Sequence, residues 1–135
     1  MELNSTELRI IFDQLSNWQD RYRHIIQLAK VLPNFPEEQR IISNQIEGCE
    51  NKVWLTYKKN SKQILTFTGD SEGRIVKGLL AIIIILANNK TAEQIAQTDF
   101  LFELKAFKII DELSQSRQLG LYNIIQRIKL LASNH

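Results

Sequence analysis

Lys52-Val53-Trp54-Leu55-Thr56-Tyr57-Lys58-Lys59, then Asn60-Ser61, then Lys62-Gln63-Ile64-Leu65-Thr66-Phe67-Thr68 is the stretch that decides the fold. Both runs are rich in β-branched and aromatic residues, which suit a pleated, half-buried surface. Alternation sends Val53, Leu55 and Tyr57 to one face and Trp54, Thr56 and Lys58 to the other. With Lys59-Asn60-Ser61 as the turn, an antiparallel hairpin is expected. Gly69-Asp70-Ser71 closes the sheet, and Asp70 or Ser71 is expected to cap the helix that follows, with Glu72 complementing its dipole. That helix holds the apolar run from Leu79 to Ala87 and stops at Asn88-Asn89. The run is far shorter than the ~20 residues a bilayer span needs, so it reads as a helix buried in the core.

Outward from this centre the pattern turns helical. Leu8, Ile11, Phe12 and Leu15 give a first helix, and Ser16 with Gln19 reads as a capping box opening a second. The second has an apolar face of Trp18, Tyr22, Ile25, Ile26, Ala29 and Leu32 and ends at Pro33 and Pro36, with a short turn at Glu37-Glu38. A further strand is expected around residues 43–47. Thr91 with Gln94 forms another capping box, and helices are expected over residues 107–113 and 116–132. The expected class is α+β: a small antiparallel sheet packed against several helices, in a single domain over residues 1–135.

Composition narrows the function classes. Apolar content of 44% and charged content of 24% are those of a globular protein, and 135 residues can bury a core without staples. A net charge of +2, with Lys and Arg scattered, gives no reason to expect nucleic acid as a partner. The N-terminus has no cationic segment followed by an apolar one, so no signal peptide and no membrane partner are expected. One cysteine cannot form an internal disulfide, which fits a cytoplasmic location.

That cysteine lies in Ile46-Glu47-Gly48-Cys49-Glu50-Asn51-Lys52. A packing cysteine belongs in an apolar stripe, whereas this thiol follows a glycine at a charged turn, where positive φ at Gly48 would present the sulfur. One cysteine and two histidines cannot build a zinc or iron–sulfur site in a monomer. Gly73 and Gly78 have phosphate-loop spacing, but Leu79-Leu80 replaces the required lysine and hydroxyl, so close helix packing is the expected role. A cysteine hydrolase needs an imidazole beside the thiol, and only His24, expected at the surface or boundary, is available. Thiol exchange needs only an accessible, partly ionised sulfur. Glu47 and Glu50 disfavour the thiolate, so a cation, with Lys52 the nearest in sequence, is expected to offset them unless docking activates a protected thiol.

Three blocks carry a family resemblance: residues 48–55 (Gly-Cys-Glu-Asn-Lys-Val-Trp-Leu), residues 67–80 (Phe-Thr-Gly-Asp-Ser-Glu-Gly-Arg-Ile-Val-Lys-Gly-Leu-Leu) and residues 113–121 (Leu-Ser-Gln-Ser-Arg-Gln-Leu-Gly-Leu). In order and separation they resemble the SufE/CsdE family of sulfur acceptors, with Glu50-Asn51 and Ser71-Glu72-Gly73 closer to the CsdE branch. The resemblance implies a fold like that of the iron–sulfur scaffold proteins. It implies that Cys49 takes sulfane sulfur as a persulfide from a cysteine desulfurase and stimulates that enzyme. The sulfur then passes to a downstream acceptor protein, towards iron–sulfur cluster assembly. Pyridoxal phosphate would belong to the desulfurase, and this chain would bind no cofactor or metal of its own. Gly48, Glu50, Asp70, Arg74, Lys77 and Arg117 are the partner-binding residues so implied, on a monomer or weak dimer, and Arg117, which matches a family arginine, is the second candidate cation to offset Glu47 and Glu50. The alternative role is a non-covalent allosteric activator of the desulfurase.

Overall fold

The computed structural model describes residues 3–134. Two helices open the chain, α1 (Ser5–Asp13) and α2 (Trp18–Leu28), followed by 3-10 turns at Ala29–Val31, Glu37–Gln39 and Ile42–Asn44. A hairpin of β1 (Val53–Lys59) and β2 (Leu65–Ser71) leads into α3 (Arg74–Ala87), then α4 (Ala92–Gln97), α5 (Phe100–Ala106), a 3-10 turn at Ile110–Glu112 and α6 (Gln115–Ser133). The architecture is α+β, as the hairpin and its flanking helices lead one to expect.

The strands pair antiparallel, Val53 opposite Ser71 and Lys59 opposite Leu65. The second strand starts three residues later than its composition indicates because the turn is longer. Asn60 Oδ1 accepts the amides of Lys62 and Ile64 at 2.9 and 3.0 Å, and Gln63 adopts φ 66°. These bonds occupy the backbone that would otherwise pair. On the outer side of β2, Asn88 Oδ1 accepts the Phe67 amide at 2.6 Å while its Nδ2 donates to the Phe67 carbonyl at 3.5 Å. Next to it, the Leu65 amide donates to the Lys90 carbonyl at 2.8 Å.

Four local expectations need correction. The cap of α2 is Asn17, whose Oδ1 accepts the Asp20 amide at 2.9 Å, so the helix starts one residue later than the Ser16–Gln19 pair indicates. Asp70 and Ser71 end β2 and do not cap α3, whose N-cap is Gly73 with no side-chain bond. Their oxygens are engaged elsewhere: Asp70 with cations, and Ser71 Oγ donating to the Lys52 carbonyl at 2.9 Å. Residues 43–47 contribute only an isolated bridge, Gln45 opposite Trp54, because Ile42–Asn44 is a 3-10 turn. The helix expected over 107–113 is replaced by α5, which ends at Ala106 with Phe107 as its C-cap, after which Lys108 turns left-handed (φ 61°) before the short 3-10 turn. The capping box of Thr91 and Gln94 and the stop at Asn88 are found as read.

The core is built around α3. Ten of its fourteen residues are buried, so its neighbours cover more than a single stripe. It packs against α2, β2 and α6. Val53, Leu55, Leu65 and Phe67 from the sheet, Ile25 and Leu28 from α2, and Leu121, Ile124, Ile125 and Ile128 from α6 complete the cluster. At Gly78 the contact with α2 is so close that a Cβ would lie 2.1 Å from the Ile25 carbonyl oxygen. Gly120 differs: a Cβ there would meet Cys49 Sγ at 3.6 Å, an ordinary contact.

Gly78→Ala should therefore cost about 1–3 kcal/mol, the usual range for overpacking. Gly120→Ala, in a helix interior, should be no less stable than the parent and could gain roughly 0.5–1 kcal/mol. Urea unfolding of both variants checks the pair, and equal stability of Gly78→Ala and the parent would refute the close approach of α2 and α3.

Candidate functional site

The loop between the isolated bridge at Gln45 and β1 presents residues 48–51, and it is laid along α6 by side chains. Gly48 has φ 82°, the left-handed region that favours glycine. A Cβ there would also strike Asn123 Nδ2 at 2.3 Å. That amide nitrogen donates to the Gly48 carbonyl at 3.2 Å. The Cys49 thiol donates to the Gly120 carbonyl at 3.7 Å, and Ser116 Oγ donates to Glu50 Oε1. Asn51 lies against Gly73, where a Cβ would come within 2.4 Å of its Oδ1. The loop is thus wedged between α6 and the start of α3.

Cys49 is half-buried, in a cleft lined by Val76 and Leu79 of α3 and Arg117, Leu121 and Ile124 of α6. The cleft has a free volume of about 10 Å³, close to the ~10–15 Å³ one small guest such as water needs. Burial pushes the thiol above the ordinary cysteine range, because the thiolate is poorly solvated there. The resting sulfur is consequently a neutral thiol at pH 7. Of the two cations considered for offsetting Glu47 and Glu50, Arg117 lines the cleft and Lys52 does not. Among the described residues no carboxylate pairs with the Arg117 guanidinium.

Asp70 and Lys77 belong to a second cluster. Asp70 is 7% exposed at the end of β2 and pairs with Arg40 and with Lys77 Nζ at 3.2 Å. Arg40 also meets Glu37 at 2.5 Å and lies over the rings of Phe35 and Trp54, each centroid 5.8 Å away. Burial raises the Asp70 carboxyl, but the hydrogen bonds from Arg40, the Ser71 amide and Lys77 outweigh it and hold it below the usual carboxylate range. Arg74, the first residue of α3, is exposed and lines no part of the thiol cleft.

The structure therefore gathers Gly48, Cys49, Glu50 and Arg117 at one place, and Asp70 with Lys77 at another. His24 lies outside the cleft on α2, edge-on to Phe12 at 5.6 Å, with Nε2 buried and no hydrogen-bond partner. Burial lowers its affinity for protons. The imidazole that a cysteine hydrolase would need is not beside the sulfur. Sequence reasoning missed Ser116 and Asn123 as contacts of the loop, and Arg40 as the partner of Asp70. The spacing 116–120–123 on one helix face was the available signal for the first pair; nothing local marks Arg40. Among the described residues no group of three or more His, Cys, Asp or Glu side chains could hold a metal ion, and no helix is long and apolar enough to cross a membrane.

Two outcomes follow. The pH midpoint of Cys49 alkylation by iodoacetamide should lie above the ~8.5 of a free cysteine, and a midpoint below that would contradict the half-buried sulfur. Asp70→Asn should lose about 1–3 kcal/mol near neutral pH, since charged partners are left unsatisfied. Because the folded carboxyl titrates below its unfolded value of ~3.9, its stabilisation is complete above that value and lost as pH falls through the folded one. The gap between parent and variant in chemical denaturation should therefore close below about pH 4.

The site can now be set beside known proteins. The sequence model of the SufE family, described as an Fe-S metabolism associated domain, matches residues 6–132. The sulfur acceptor protein CsdE of Escherichia coli (strain K12) is 40% identical over 121 residues, covering 90% of this chain and 82% of its own. An uncharacterised SufE-like protein of Rhizobium meliloti (strain 1021) is also 40% identical over 121 residues, covering 87% of this chain and 86% of the relative. Another from Rhizobium etli is 37% identical over 118 residues, covering 85% and 80%. With the family pattern spanning both the Cys49 loop and the α3 and α6 walls of its cleft, the chain belongs to the SufE family.

Proposed function

We propose that this protein is a sulfur acceptor and carrier that takes sulfane sulfur from a pyridoxal-phosphate-dependent cysteine desulfurase as a persulfide on Cys49. The observation that carries the reading is the solitary thiol itself: it sits on a loop, at a cleft with room for about one more atom, in a relative of a sulfur acceptor protein. In the transfer step the Cys49 thiolate attacks the outer sulfur of a persulfide on the partner's cysteine. A new bond forms from Sγ to that sulfur as the partner's S–S bond breaks. The partner's cysteine leaves with the electron pair as a thiolate and takes up the proton that Cys49 released. Sulfane sulfur only changes carrier, so no external oxidant or reductant is needed.

The cleft residues have distinct roles in this step. Arg117, which lines the cleft and has no carboxylate partner among the described residues, offsets charge on the attacking sulfur and on the persulfide product. Val76, Leu79 and Ile124 supply apolar walls that keep water and stray thiols from the product. Gly48 and Glu50 on the loop, with Asp70, Arg74 and Lys77 nearer the hairpin end and the start of α3, are the proposed docking residues. With one cysteine the chain cannot resolve its own persulfide. A thiol of a downstream acceptor must remove the sulfur, on a route towards iron–sulfur cluster assembly in the cytoplasm.

The test is intact mass after incubation with a cysteine desulfurase, pyridoxal phosphate and L-cysteine. A gain of ~32 Da per sulfur, reversed by reductant and absent in Cys49→Ser, is the expected result, with Arg117→Ala slowing transfer while folding normally. No gain but faster desulfurase turnover would replace the carrier by a non-covalent activator. No gain and no stimulation across desulfurases of both branches would overturn the reading.

A further inference from the structure

Loop residues 50, 49 and 48 face α6 residues 116, 120 and 123 in turn. Glu50 accepts from Ser116 Oγ, the Cys49 thiol donates to the Gly120 carbonyl at 3.7 Å, and the Gly48 carbonyl accepts from Asn123 Nδ2 at 3.2 Å. Positions four and three apart share one helix face, so the loop runs antiparallel to a single stripe of α6. The two outer bonds are side-chain bonds to exposed residues, and they bracket the sulfur. Among the described residues no backbone ladder ties residues 48–50 down. A loop held by side-chain bonds on either side of a half-buried thiol opens at the cost of those bonds and of the thiol's own contacts, without breaking a strand ladder.

We propose that Ser116 and Asn123 are positioning residues for Cys49, a two-point latch on α6 that keeps the loop shut over the cleft and limits the thiol's reactivity until it is released. In the shut loop the sulfur faces a carbonyl oxygen, which only the neutral S–H can satisfy, and lies between the carboxylates of Glu47 and Glu50 in sequence. Lifting the loop removes the carbonyl contact and returns the sulfur to water, so position and ionisation change together. A partner that binds the released loop obtains a reactive thiol, while small oxidants meeting the free protein find a shut one. This extends the sulfur-acceptor reading by assigning what holds the acceptor sulfur at rest.

The experiment is iodoacetamide alkylation of Cys49, followed by intact mass across pH, in the parent, Ser116→Ala, Asn123→Ala and the double variant, all of which keep the charge of Glu50 beside the sulfur. Ser116 is exposed, so its truncation leaves the fold intact, and thermal melts verify this. Each single variant should react about fivefold to tenfold faster, as losing one hydrogen bond of ordinary strength shifts an opening equilibrium. The double variant should react faster still, with a lower pH midpoint. Ser116→Thr, which keeps the hydroxyl, should retain the parent rate. Parent rates and midpoint in all the truncations, with folding unchanged, would overturn the latch. Alkylation needs no desulfurase, so the two readings fail separately. Fast alkylation without sulfur uptake would keep the latch and remove the carrier, whereas sulfur uptake with parent-like alkylation in every variant would do the reverse.

Discussion

A helix that is apolar around most of its circumference has to be covered on most of its circumference, and α3 imposes that requirement on everything else. The hairpin, α2 and α6 each exist in their places as its cover. Gly78 allows α2 to come against the backbone of α3, closing one side completely. The side towards α6 is closed less tightly, and Val76 and Leu79 are reached there by the loop that carries the cysteine. The thiol cleft is thus the seam in the wrapping of a buried helix, which explains both its apolar walls and its small volume.

Such a seam puts opposing demands on sulfur. A neutral thiol tolerates apolar surroundings, while the attacking form is an anion that burial disfavours. The sulfur is oriented towards a carbonyl oxygen of α6, and Arg117, which has no carboxylate partner among the described residues, is one of the residues lining the cleft. The ion cluster of Arg40, Asp70 and Lys77 serves a different end. It ties the 37–40 turn, the end of β2 and the first turns of α3 together through one buried carboxylate, so the wall of the cleft starts from a fixed point.

Much of this was legible in the order of residues. The alternation at Val53, Leu55 and Tyr57 and the isoleucine run of α3 are strong periodic or compositional signals, and both elements are present. What escaped was set by side-chain bonds to backbone. Asn60 lengthened the hairpin turn through its own carbonyl, and Asn17 in place of Ser16 took the cap because its Oδ1 reaches the Asp20 amide. Asp70 resembled a cap locally and became an ion-pair centre because Arg40, thirty residues earlier in the chain, arrives beside it. Cys49 could be singled out by its setting, but its half-burial depends on α6, more than sixty residues further on. Local pattern reaches as far as an element, and the seam is made between elements.

The hydrogen bonds from Asn88 to Phe67 have a consequence for behaviour in solution. A two-stranded sheet has two long sides, and an unfilled row of amides and carbonyls invites another chain to add itself as a strand. Here a single asparagine side chain takes the place that a neighbouring strand's peptide group would occupy, and the Lys90 carbonyl takes the next. The residue that ends α3 thereby also covers this stretch of the hairpin's outer edge, leaving fewer open backbone groups there for another strand to pair with.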